Sequence, residues 1–467
     1  MIDSATIAAI ATPAGEGGIG VVRVSGADAA TIAARVFRKP GKSSKPVDLT
    51  STESHRLIYG KIVDPETSDL IDEVLLGWMA GPHTYTKEDT VEISCHGGPV
   101  PLQETLRLLL AAGARQAEPG EFTLRAFLNG RLDLTQAEAV LNVIGARTSE
   151  SLRLAVSDLA GDLTRRLAPA NAALVSLLAY LDASADFPDD EIDTSDIDHG
   201  LLAAEEALAD VVAGSKAGML LRDGAQIALV GRPNVGKSSL LNALLRAERA
   251  IVTPIAGTTR DVIAETVNVE GIPVTLLDTA GIVETEDLVE KIGVERSRKV
   301  LSTAAAIAFV VDGSAPLQEG DLAVANLLAG RPSGEQTPVV IVWNKHDLGE
   351  SADREALTRL LPNAAQVTIS ATTGEGLSDL EAALATTLRG GTSSEARPAL
   401  ISARQRAAVE RALQHIRDAQ EARAAGYPQD LLATPVRAAL HAVGEVTGED
   451  VDESVIQEIF SRFCIGK

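Results

Sequence analysis

The hydrophobic pattern of residues 1–130 consists of short apolar runs separated by turns that contain glycine. Runs at 19–24, 74–79 and 90–95 have the length of strands and predict β-strands. Residues 102–110 place leucines at helical spacing and predict a helix. Together these elements predict an α+β domain over residues 1–130.

After residue 131 the apolar residues recur at helical spacing. Thr135 and Glu138 have the spacing of a capping box and predict the start of a helix. An amphipathic stripe follows, and Pro169 is expected to end or kink its helix. The stripe contains Leu152, Val156, Leu159, Leu163 and Leu167 before the proline, and Leu174, Leu178 and Leu181 after it. These residues predict the first half of a helical domain, over residues 131–223.

Residues 391–467 return to the same helical spacing and predict the second half of that domain. Their stripes are formed by Val409, Leu413 and Ile416, and by Val451, Val455, Ile459 and Phe463. Between the two helical segments, residues 224–390 alternate strand-like and helix-like runs, which is typical of an α/β domain. The pattern therefore predicts a helical domain interrupted by an inserted α/β domain.

Length and charge narrow the possible functions. At roughly 100–200 residues per domain, 467 residues predict about three domains. The formal net charge is −23, none of the four predicted segments is net positive, and residues 131–223 alone carry −10. A protein that holds nucleic acid by bulk electrostatics needs an excess of Lys and Arg. Any RNA or DNA must therefore be held by a local site or by a basic partner.

The run 182–198 contains eight acidic residues and no basic residue. Its spacing does not match the calcium loop of an EF-hand, and it contains no glycine. A solvated loop or a face for a basic partner is the favoured interpretation.

Cys95 and Cys464 are the two cysteines of the sequence, and neither lies in a CxxC pair. This excludes a disulfide framework and a zinc site built from cysteines. Free thiols indicate a reducing, cytoplasmic compartment. The first residues lack the basic segment of a secretory signal, and we expect no apolar run of membrane-spanning length and no membrane binding.

A phosphate-binding sequence follows the strand predicted at 227–230. It reads Gly231-Arg232-Pro233-Asn234-Val235-Gly236-Lys237-Ser238, which matches GxxxxGK[ST], and a helical pattern follows it. Its glycines let backbone amides surround phosphates. Lys237 can reach the β- and γ-phosphates, and the hydroxyl of Ser238 can ligate Mg²⁺.

Three further motifs follow predicted strands in the order of a GTP-binding domain. Asp278-Thr279-Ala280-Gly281 places a carboxylate where it can hold Mg²⁺ through water. In Asn344-Lys345-His346-Asp347, the carboxylate of Asp347 can accept two N–H groups of guanine that adenine lacks. Ser370-Ala371-Thr372 offers a backbone amide to the guanine O6 atom. The predicted GTP-binding residues are Asn234, Val235, Gly236, Lys237, Ser238, Ser239, Thr253, Pro254, Ile255, Ala256, Gly257, Thr258, Thr259, Asp278, Thr279, Ala280, Gly281, Asn344, Lys345, Asp347, Ser370, Ala371 and Thr372.

A switch loop is predicted at 257–261, between the P-loop and Asp278. Thr259 in this loop is the expected second Mg²⁺ ligand and, with Lys237, a catalytic residue. Ile282 stands where Ras-like enzymes have the glutamine that orients water. Because isoleucine cannot orient water, either hydrolysis is slow or another group orients the water.

With these motifs, the chain resembles the MnmE (TrmE) family of bacterial tRNA modification GTPases over its whole length. The terminal Cys464-Ile465-Gly466-Lys467 is far more specific than the P-loop alone. Other matching segments are Ala11-Thr12-Pro13, Gly17-Gly18, His96-Gly97-Gly98-Pro99, 119–123, 125–129 and 186–191. The resemblance implies an N-terminal α+β domain that binds tetrahydrofolate and dimerises, a helical domain, and a Ras-like P-loop G domain inserted into the helical domain.

The resemblance also implies the reaction and its partners. Members of the family are GTPases activated by K⁺ whose G domains pair across the nucleotides of a homodimer. They act on certain tRNAs with the flavoprotein MnmG, as a heterotetramer. Together the two proteins add an aminomethyl or carboxymethylaminomethyl group to C5 of the wobble uridine, with a reduced folate as one-carbon donor.

Carried over residue by residue, the resemblance assigns further roles. Glu290 orients the attacking water through a bridging water, and Cys464 acts in tRNA modification. The implied K⁺ ligands are Asn234, Thr253, Ile255 and Thr258, and the implied folate residues are Arg23, Glu92, Arg131 and Lys467. The family more often has lysine at position 131. Without the resemblance, Glu290 is a solvated helix residue, Cys464 a buried structural cysteine and Arg23 an exposed or paired arginine.

Two other functions share part of the pattern. A ribosome-assembly GTPase switch of the Era/Der type has the same P-loop and Asn-Lys-x-Asp motif. Such proteins add a basic RNA-binding module, whereas residues 391–467 are net −2. A dynamin-like GTPase needs a basic amphipathic helix for the membrane, and the sequence has none.

Overall fold

The computed structural model of the chain describes residues 4–41, 46–186, 195–247, 265–278, 303–331, 337–390, 397–399 and 401–467. The chain forms two compact units. The first consists of Met1–Leu141, Leu159–Thr164 and Leu440–Lys467, and the second of Asn142–Asp158 and Arg165–Ala439. The domain boundaries after residues 130, 223 and 390 stay predictions.

The first unit is built on a seven-stranded sheet. Its strands are β1 (Ile7–Ile10), β2 (Ile19–Ser25), β3 (Phe37–Arg38), β4 (Arg56–Val63), β5 (Leu70–Met79), β6 (Thr90–His96) and β7 (Arg115–Gln116). Their order is β3-β4-β5-β6-β2-β1-β7, and neighbours are antiparallel except β1 and β7. The strands predicted at 19–24, 74–79 and 90–95 are confirmed as parts of β2, β5 and β6.

Helices pack on both faces of this sheet, because Phe122 of the third helix is buried with Ile7 and Ala9, on the face opposite to that of Ala8. The helical segments at this end of the sequence are α1 (Ala29–Val36), α2 (Pro99–Ala111), α3 (Glu121–Leu128) and α4 (Leu134–Gly145), and α14 (Glu453–Ser461) lies near the C-terminus. Alternate residues such as Val22 and Ile93 point to the face where Ala33 of α1 and Leu109 of α2 are buried with them. The helix predicted at 102–110 is confirmed as part of α2.

The predicted capping box of α4 is wrong in register by two residues. The amide of Gln136 donates to Asp133 Oδ1 over 2.8 Å, and the amide of Asp133 donates to Gln136 Oε1 over 3.0 Å. Asp133 and Gln136 therefore cap the helix in place of Thr135 and Glu138. The hydroxyl of Thr135 donates to Asp133 Oδ1 over 2.6 Å, and aspartate caps as well as threonine does.

The helical part of the second unit consists of long, packed helices. They are α5 (Ser149–Leu159), α6 (Asp162–Asp186), α7 (Ser195–Asp223), α12 (Ala403–Ala424) and α13 (Gln429–Thr447). Helices α7 and α12 pack together, and the predicted stripe of Val409, Leu413 and Ile416 is buried.

The first predicted helical stripe is interrupted at a different residue from the one expected. The break between α5 and α6 falls at Gly161, whose φ is 83°, whereas Pro169 lies inside α6 at an exposed position. Leu152 and Val156 are 43% and 49% exposed. Glycine adopts a positive φ at no steric cost, and a residue in that conformation commonly ends a helix.

Residues 162–184 of α6 meet the length and hydropathy criteria of a membrane-spanning helix, contrary to the expectation from sequence. Leu167, Leu174 and Leu181 are buried at a spacing of seven. Arg166 pairs with Asp210 of α7 at 2.8 Å, and Arg437 of α13 donates to Asp182 at 3.1 Å. These contacts join α6 to the other helices of the second unit.

The second unit also contains a six-stranded sheet. Its strands are β8 (Ala225–Val230), β9 (Glu265–Val269), β10 (Ile272–Asp278), β11 (Ala306–Asp312), β12 (Val339–Asn344) and β13 (Ala365–Thr368). The order is β13-β12-β11-β8-β10-β9, and all pairs are parallel except β9 with β10. Helices α8 (Lys237–Ala247), α9 (Glu319–Ala329), α10 (Arg354–Leu360) and α11 (Leu377–Leu388) alternate with these strands. The predicted α/β alternation is confirmed in the described residues.

Candidate functional site

Parallel strands of the second sheet end at one edge that carries polar residues. Strands β8, β10, β11 and β12 end at Val230, Asp278, Asp312 and Asn344. The crevice at the carboxyl ends of parallel strands is where open α/β sheets bind ligands. The sheet therefore brings the P-loop, Asp278 and the Asn-Lys-His-Asp loop to one crevice.

Lys237 is held against the loop that precedes it. This residue begins α8, is 6% exposed, and donates from Nζ to the carbonyl oxygens of Gly231 at 2.8 Å and Arg232 at 3.0 Å. Ser238 and Ser239 lie in the first turn of α8. The amides and the dipole of such a helix start favour an anion.

The other end of the loop is fixed by a buried carboxylate. Arg232 Nε donates to Asp321 Oδ2 at 3.0 Å, and Asp321 at the start of α9 is 1% exposed. Asn234, between these anchored residues, is exposed and adopts a left-handed backbone conformation with φ of 65°.

Asn344 connects three of the predicted segments. Its Nδ2 donates to the carbonyl of Val235 over 2.9 Å, and its Oδ1 accepts from the amide of Ala371 over 3.0 Å. Gly236 has φ of +98°, and a Cβ there would lie 2.2 Å from Asn344 Nδ2. The glycine is therefore required both by the backbone and by the closeness of this amide.

Asp347 is the acid of the turn His346–Leu348. Its Oδ1 accepts from Ser370 Oγ at 2.6 Å, and Ser370 Oγ accepts from the amide of Thr373 at 3.1 Å. The Ser370-Ala371-Thr372 segment thus orients the carboxylate that is predicted to bind guanine.

Asp312 is a site residue that sequence reasoning missed. Its Oδ2 lies 2.7 Å from Lys345 Nζ, and its Oδ1 accepts from the amide and the hydroxyl of Ser314. Burial opposes ionisation of this carboxyl, but the hydrogen bonds from Lys345 and Ser314 outweigh it, so the pKa of Asp312 is lowered. The sequence did offer a signal for Asp312, because this aspartate ends an apolar run of strand length, as the aspartate of a motif at this sheet edge does.

Several predicted site residues lie outside the described residues. For Asp278, the structure describes the backbone position at the end of β10 but not the side chain. Those outside are Thr253, Pro254, Ile255, Ala256, Gly257, Thr258, Thr259, Thr279, Ala280, Gly281, Ile282 and Glu290. The central part of the acidic run, 187–194, lies outside as well.

A second polar cluster lies on the first unit's sheet. Arg23 of β2 is directly opposite Glu92 of β6, and Arg23 Nε donates to Glu92 Oε1 at 2.8 Å. Tyr85 lies close to two guanidinium groups, with Cζ of Arg131 4.8 Å and Cζ of Arg23 5.8 Å from its ring centroid. Three of the four predicted folate residues are therefore together, around a tyrosine that sequence reasoning missed.

The C-terminal tail runs along the first unit's sheet. Ile465 forms a β-bridge with Pro119, and Gly466 is so close to β1 that a Cβ would lie 2.3 Å from the carbonyl oxygen of Ile10. Cys464 is an exposed free thiol. Within the described residues, Lys467 forms no hydrogen bond or ion pair with the Arg23–Glu92 pair.

A strand, a P-loop and a helix, with an Asn-Lys-x-Asp loop at the same sheet edge, define a P-loop GTP-binding protein. The family model described as GTP-binding protein TrmE N-terminus matches residues 6–131, and the MnmE helical domain model matches residues 134–464. The chain therefore belongs to the MnmE family of tRNA modification GTPases, and it is a GTP-hydrolysing enzyme.

Individual relatives match the chain from end to end. The tRNA modification GTPase MnmE of Chloroflexus aurantiacus is 50% identical over 99% of both chains. The proteins of the same name from Roseiflexus sp. and Alkaliphilus oremlandii are 47% and 42% identical, over 100% and 99% of both chains. Among solved structures, the G domain of the T. maritima FeoB iron transporter is 25% identical, with a TM-score of 0.26, over 35% of this chain and 98% of that one. The family assignment rests on the sequence relatives and the family models.

Proposed function

We propose that this chain is a cytoplasmic, potassium-dependent GTPase that modifies tRNA together with a flavoprotein of the MnmG type. The two proteins add a carboxymethylaminomethyl or aminomethyl group to C5 of the wobble uridine of certain tRNAs, and a reduced folate supplies the one-carbon unit. The observation that carries the proposal is the end-to-end match to tRNA modification GTPases at 42–50% identity.

In the nucleotide site, Lys237 binds the β- and γ-phosphates and Asp347 accepts the two N–H groups of guanine. Ser238 and Thr259 ligate Mg²⁺, and Asp278 holds it through water. The buried bonds of Lys237 and the hydrogen bond from Ser370 to Asp347 support these roles. With the ammonium and the carboxylate already oriented, less ordering is needed when GTP binds.

Asn234, Thr253, Ile255 and Thr258 ligate K⁺ beside the phosphates. A cation there neutralises the charge that develops in the transition state, as an arginine finger does. The exposed, left-handed position of Asn234 on the P-loop supports this role. We expect Asn234→Ala to abolish the stimulation of GTP hydrolysis by K⁺ over Na⁺. Equal stimulation in the variant would contradict the assignment.

Glu290 orients the attacking water through a bridging water, because Ile282 cannot do so. Glu290→Ala is expected to keep its affinity for GTP and to lose most turnover in K⁺ buffer. Glu286→Ala is the matched control, since it removes a carboxylate four residues away. Unchanged turnover of Glu290→Ala would refute the role.

Arg23, Glu92, Arg131 and Lys467 bind the reduced folate. The carboxylate of Glu92 is 35% exposed and can accept N–H groups of a pterin, and a guanidinium can hold the glutamyl carboxylate by two hydrogen bonds. Arg131 keeps the positive charge of the lysine more common in the family. The path of the tail along β1 supports a contribution from Lys467.

The first unit forms a homodimer through a face of its sheet that exposes large apolar side chains in the described residues. Leu57, Tyr59 and Leu75 lie on one face and are 71%, 50% and 42% exposed. Large apolar side chains grouped on a sheet face are typical of an interface. We expect Leu57→Glu to sediment as a monomer, whereas Leu431→Glu, at a 53% exposed leucine of α13, stays a dimer. A Leu57→Glu dimer would exclude this face.

The G domain is inserted into the helical domain. The order of the elements supports this proposal, because α5 to α7 precede the second sheet in sequence and α12 and α13 follow it. The net charge of −23 supports a basic partner as the main tRNA-holding surface. Tight, strongly salt-dependent tRNA binding by this protein alone would contradict that division of roles.

The test of the whole proposal is mass spectrometry of tRNA nucleosides from a strain that lacks this protein. We expect the C5-modified uridine to disappear and to return with the wild-type chain. Cys464→Ser should retain GTP hydrolysis but fail to restore the nucleoside, whereas Ser461→Ala, an exposed hydroxyl on α14, should restore it. An unchanged nucleoside profile in the deletion strain would refute the proposal.

A further inference from the structure

Lys345 occupies a strained backbone conformation within the base-recognition loop. Its φ is 66°, in the left-handed region that a residue with a Cβ rarely adopts. Such a conformation costs free energy and persists only when the surrounding contacts hold it. The chain turns at Lys345 into the 3₁₀ turn His346–Leu348, which carries Asp347.

The side chain of Lys345 is held by Asp312. Lys345 Nζ lies 2.7 Å from Asp312 Oδ2, and Asp312 is 9% exposed at the end of β11. The amide and hydroxyl of Ser314 donate to Asp312 Oδ1 at 3.0 and 2.6 Å, so the carboxylate cannot follow the lysine if the loop moves. A fixed, buried carboxylate therefore holds the strained residue in place.

The turn that begins at Asp312 also contacts both ends of the base-recognition loop. The amide of Gly313 donates to the carbonyl of Asn344 over 2.8 Å, and the carbonyl of Gly313 accepts from the amide of Ser351 over 3.0 Å. The two strand ends are in register, with Asp312 paired to Asn344. The segment Asp312-Gly313-Ser314 therefore contacts the base-recognition loop at three points. These are its first residue Asn344, its strained residue Lys345 and its end at Ser351.

We propose that Asp312 is a positioning residue for guanine recognition, which acts through Lys345 to fix the turn that presents Asp347. The inference rests on the proposed role of Asp347 in binding the guanine base. Asp312 lies in none of the four motifs that identify the site, and its carboxylate is directed to Lys345 and Ser314. Its removal therefore weakens the binding of GTP and GDP alike and leaves the chemical step unchanged.

The test compares Asp312→Asn, Asp312→Ala and the control Glu355→Gln in the full-length protein. Glu355 is an exposed acid of α10 that pairs with Arg359 at 3.6 Å. We expect the KM for GTP and the Kd for GDP to rise about tenfold in Asp312→Ala, with less change in Asp312→Asn and none in the control. The value of kcat at saturating GTP should stay within about twofold of wild type.

A double-mutant cycle tests whether Asp312 acts through Lys345. In a Lys345→Ala background, Asp312→Ala should raise KM little further, because the pair is already broken. Additive effects, an unchanged KM, or a fall in kcat at constant KM would each overturn the proposal. If Asp312→Ala does not fold, the nearly isosteric Asp312→Asn takes its place. The same changes in KM, Kd and kcat then test the positioning role.

The role of Asp347 is tested separately by Asp347→Asn. The amide of asparagine would place an N–H donor against the N–H donors of guanine. The nucleotide preference of the protein should therefore move from GTP towards XTP, whose base has a carbonyl oxygen in place of the exocyclic amine. No such shift would refute the role of Asp347. A normal shift with an unchanged KM in both Asp312 variants would refute the positioning role alone.

Discussion

Asn344 Nδ2 donates to the carbonyl oxygen of Val235 over 2.9 Å, so the end of β12 is bonded directly to the P-loop. The same side chain accepts from the amide of Ala371. Asn344 is 2% exposed, so its side chain is shielded from water. The phosphate-binding loop and the base-recognition loop therefore share one amide, and neither can shift independently.

Asn344→Ala should weaken both the fold and nucleotide binding. The change leaves the carbonyl of Val235 and the amide of Ala371 without their partner, at a cost of about 1–3 kcal/mol each if water does not replace it. Urea unfolding measures the stability, and titration with GDP measures the affinity.

The matched control is Gln366→Ala. Gln366 accepts from Trp343 Nε1 at 3.1 Å and donates to Thr358, away from the P-loop. It should lower the free energy of unfolding but leave the GDP affinity unchanged. Equal loss of GDP affinity in both variants would show that Asn344 acts through stability alone.

Gly236→Ala should abolish GTP binding. Its φ of +98° disfavours any Cβ, and the added carbon would lie 2.2 Å from Asn344 Nδ2. Gly426→Ala separates the effect of backbone strain from that of the steric clash. Gly426 has φ of +74°, but a Cβ added there would meet nothing within 4 Å. That control should lose about 1 kcal/mol of stability and keep GTP binding. Isothermal titration calorimetry measures the affinity of both variants for GTP. Tight binding by Gly236→Ala would contradict the steric argument.

Tyr85→Leu should lower the affinity for tetrahydrofolate without changing GTP turnover. The ring contacts the guanidinium groups of Arg131 and Arg23, and its hydroxyl bonds Thr123 Oγ1 at 2.9 Å. A cation–π contact is worth about 0.5–2 kcal/mol, so loss of the equivalent of one contact should cost about twofold to thirtyfold in Kd. Tyr85→Phe keeps the ring and should keep most of the affinity.

Tyr427→Leu is the matched control for Tyr85→Leu, because Tyr427 is 56% exposed and lies in the second unit. Folate binding by wild type with no loss in Tyr85→Leu would exclude a role for the tyrosine ring. No folate binding by wild type would instead refute the proposed folate site.

Sequence reasoning succeeded where the signal was local. The P-loop and the strands before Asp278 and Asn344 could be predicted because each motif directly follows an apolar run. It failed where a distant residue decided the outcome. A cation–π contact places Tyr85 beside Arg131, and the register of β11 with β12 places Asp312 near Lys345. No pattern along the chain reports such pairs, and the sequence did not show that Gly161 adopts the positive φ at which the helix breaks.

His96 should titrate above the usual histidine range. A hydrogen bond between its Nδ1 and Asp72 Oδ1 at 2.5 Å, reinforced by the charge of Asp72, raises the pKa of His96. Asp72 is itself fixed, because the amide of His96 donates to its Oδ2 at 2.8 Å. Titration of the His96 ring by NMR should give a pKa above about 6.5 in the wild type. In Asp72→Asn the pKa should fall back towards that value, whereas Asp69→Asn, a nearby exposed acid, should leave it unchanged.

The same pair makes stability depend on pH in a defined direction. The folded pKa of His96 is raised above its unfolded value, so the protonated ring stabilises the folded state. This contribution is fully present below about pH 6.5 and is lost as pH rises through the folded pKa. The difference in free energy of unfolding between wild type and Asp72→Asn should therefore shrink as pH rises through the folded pKa measured by NMR. A difference that is constant or grows over that range would show that the raised pKa of His96 does not contribute to folding.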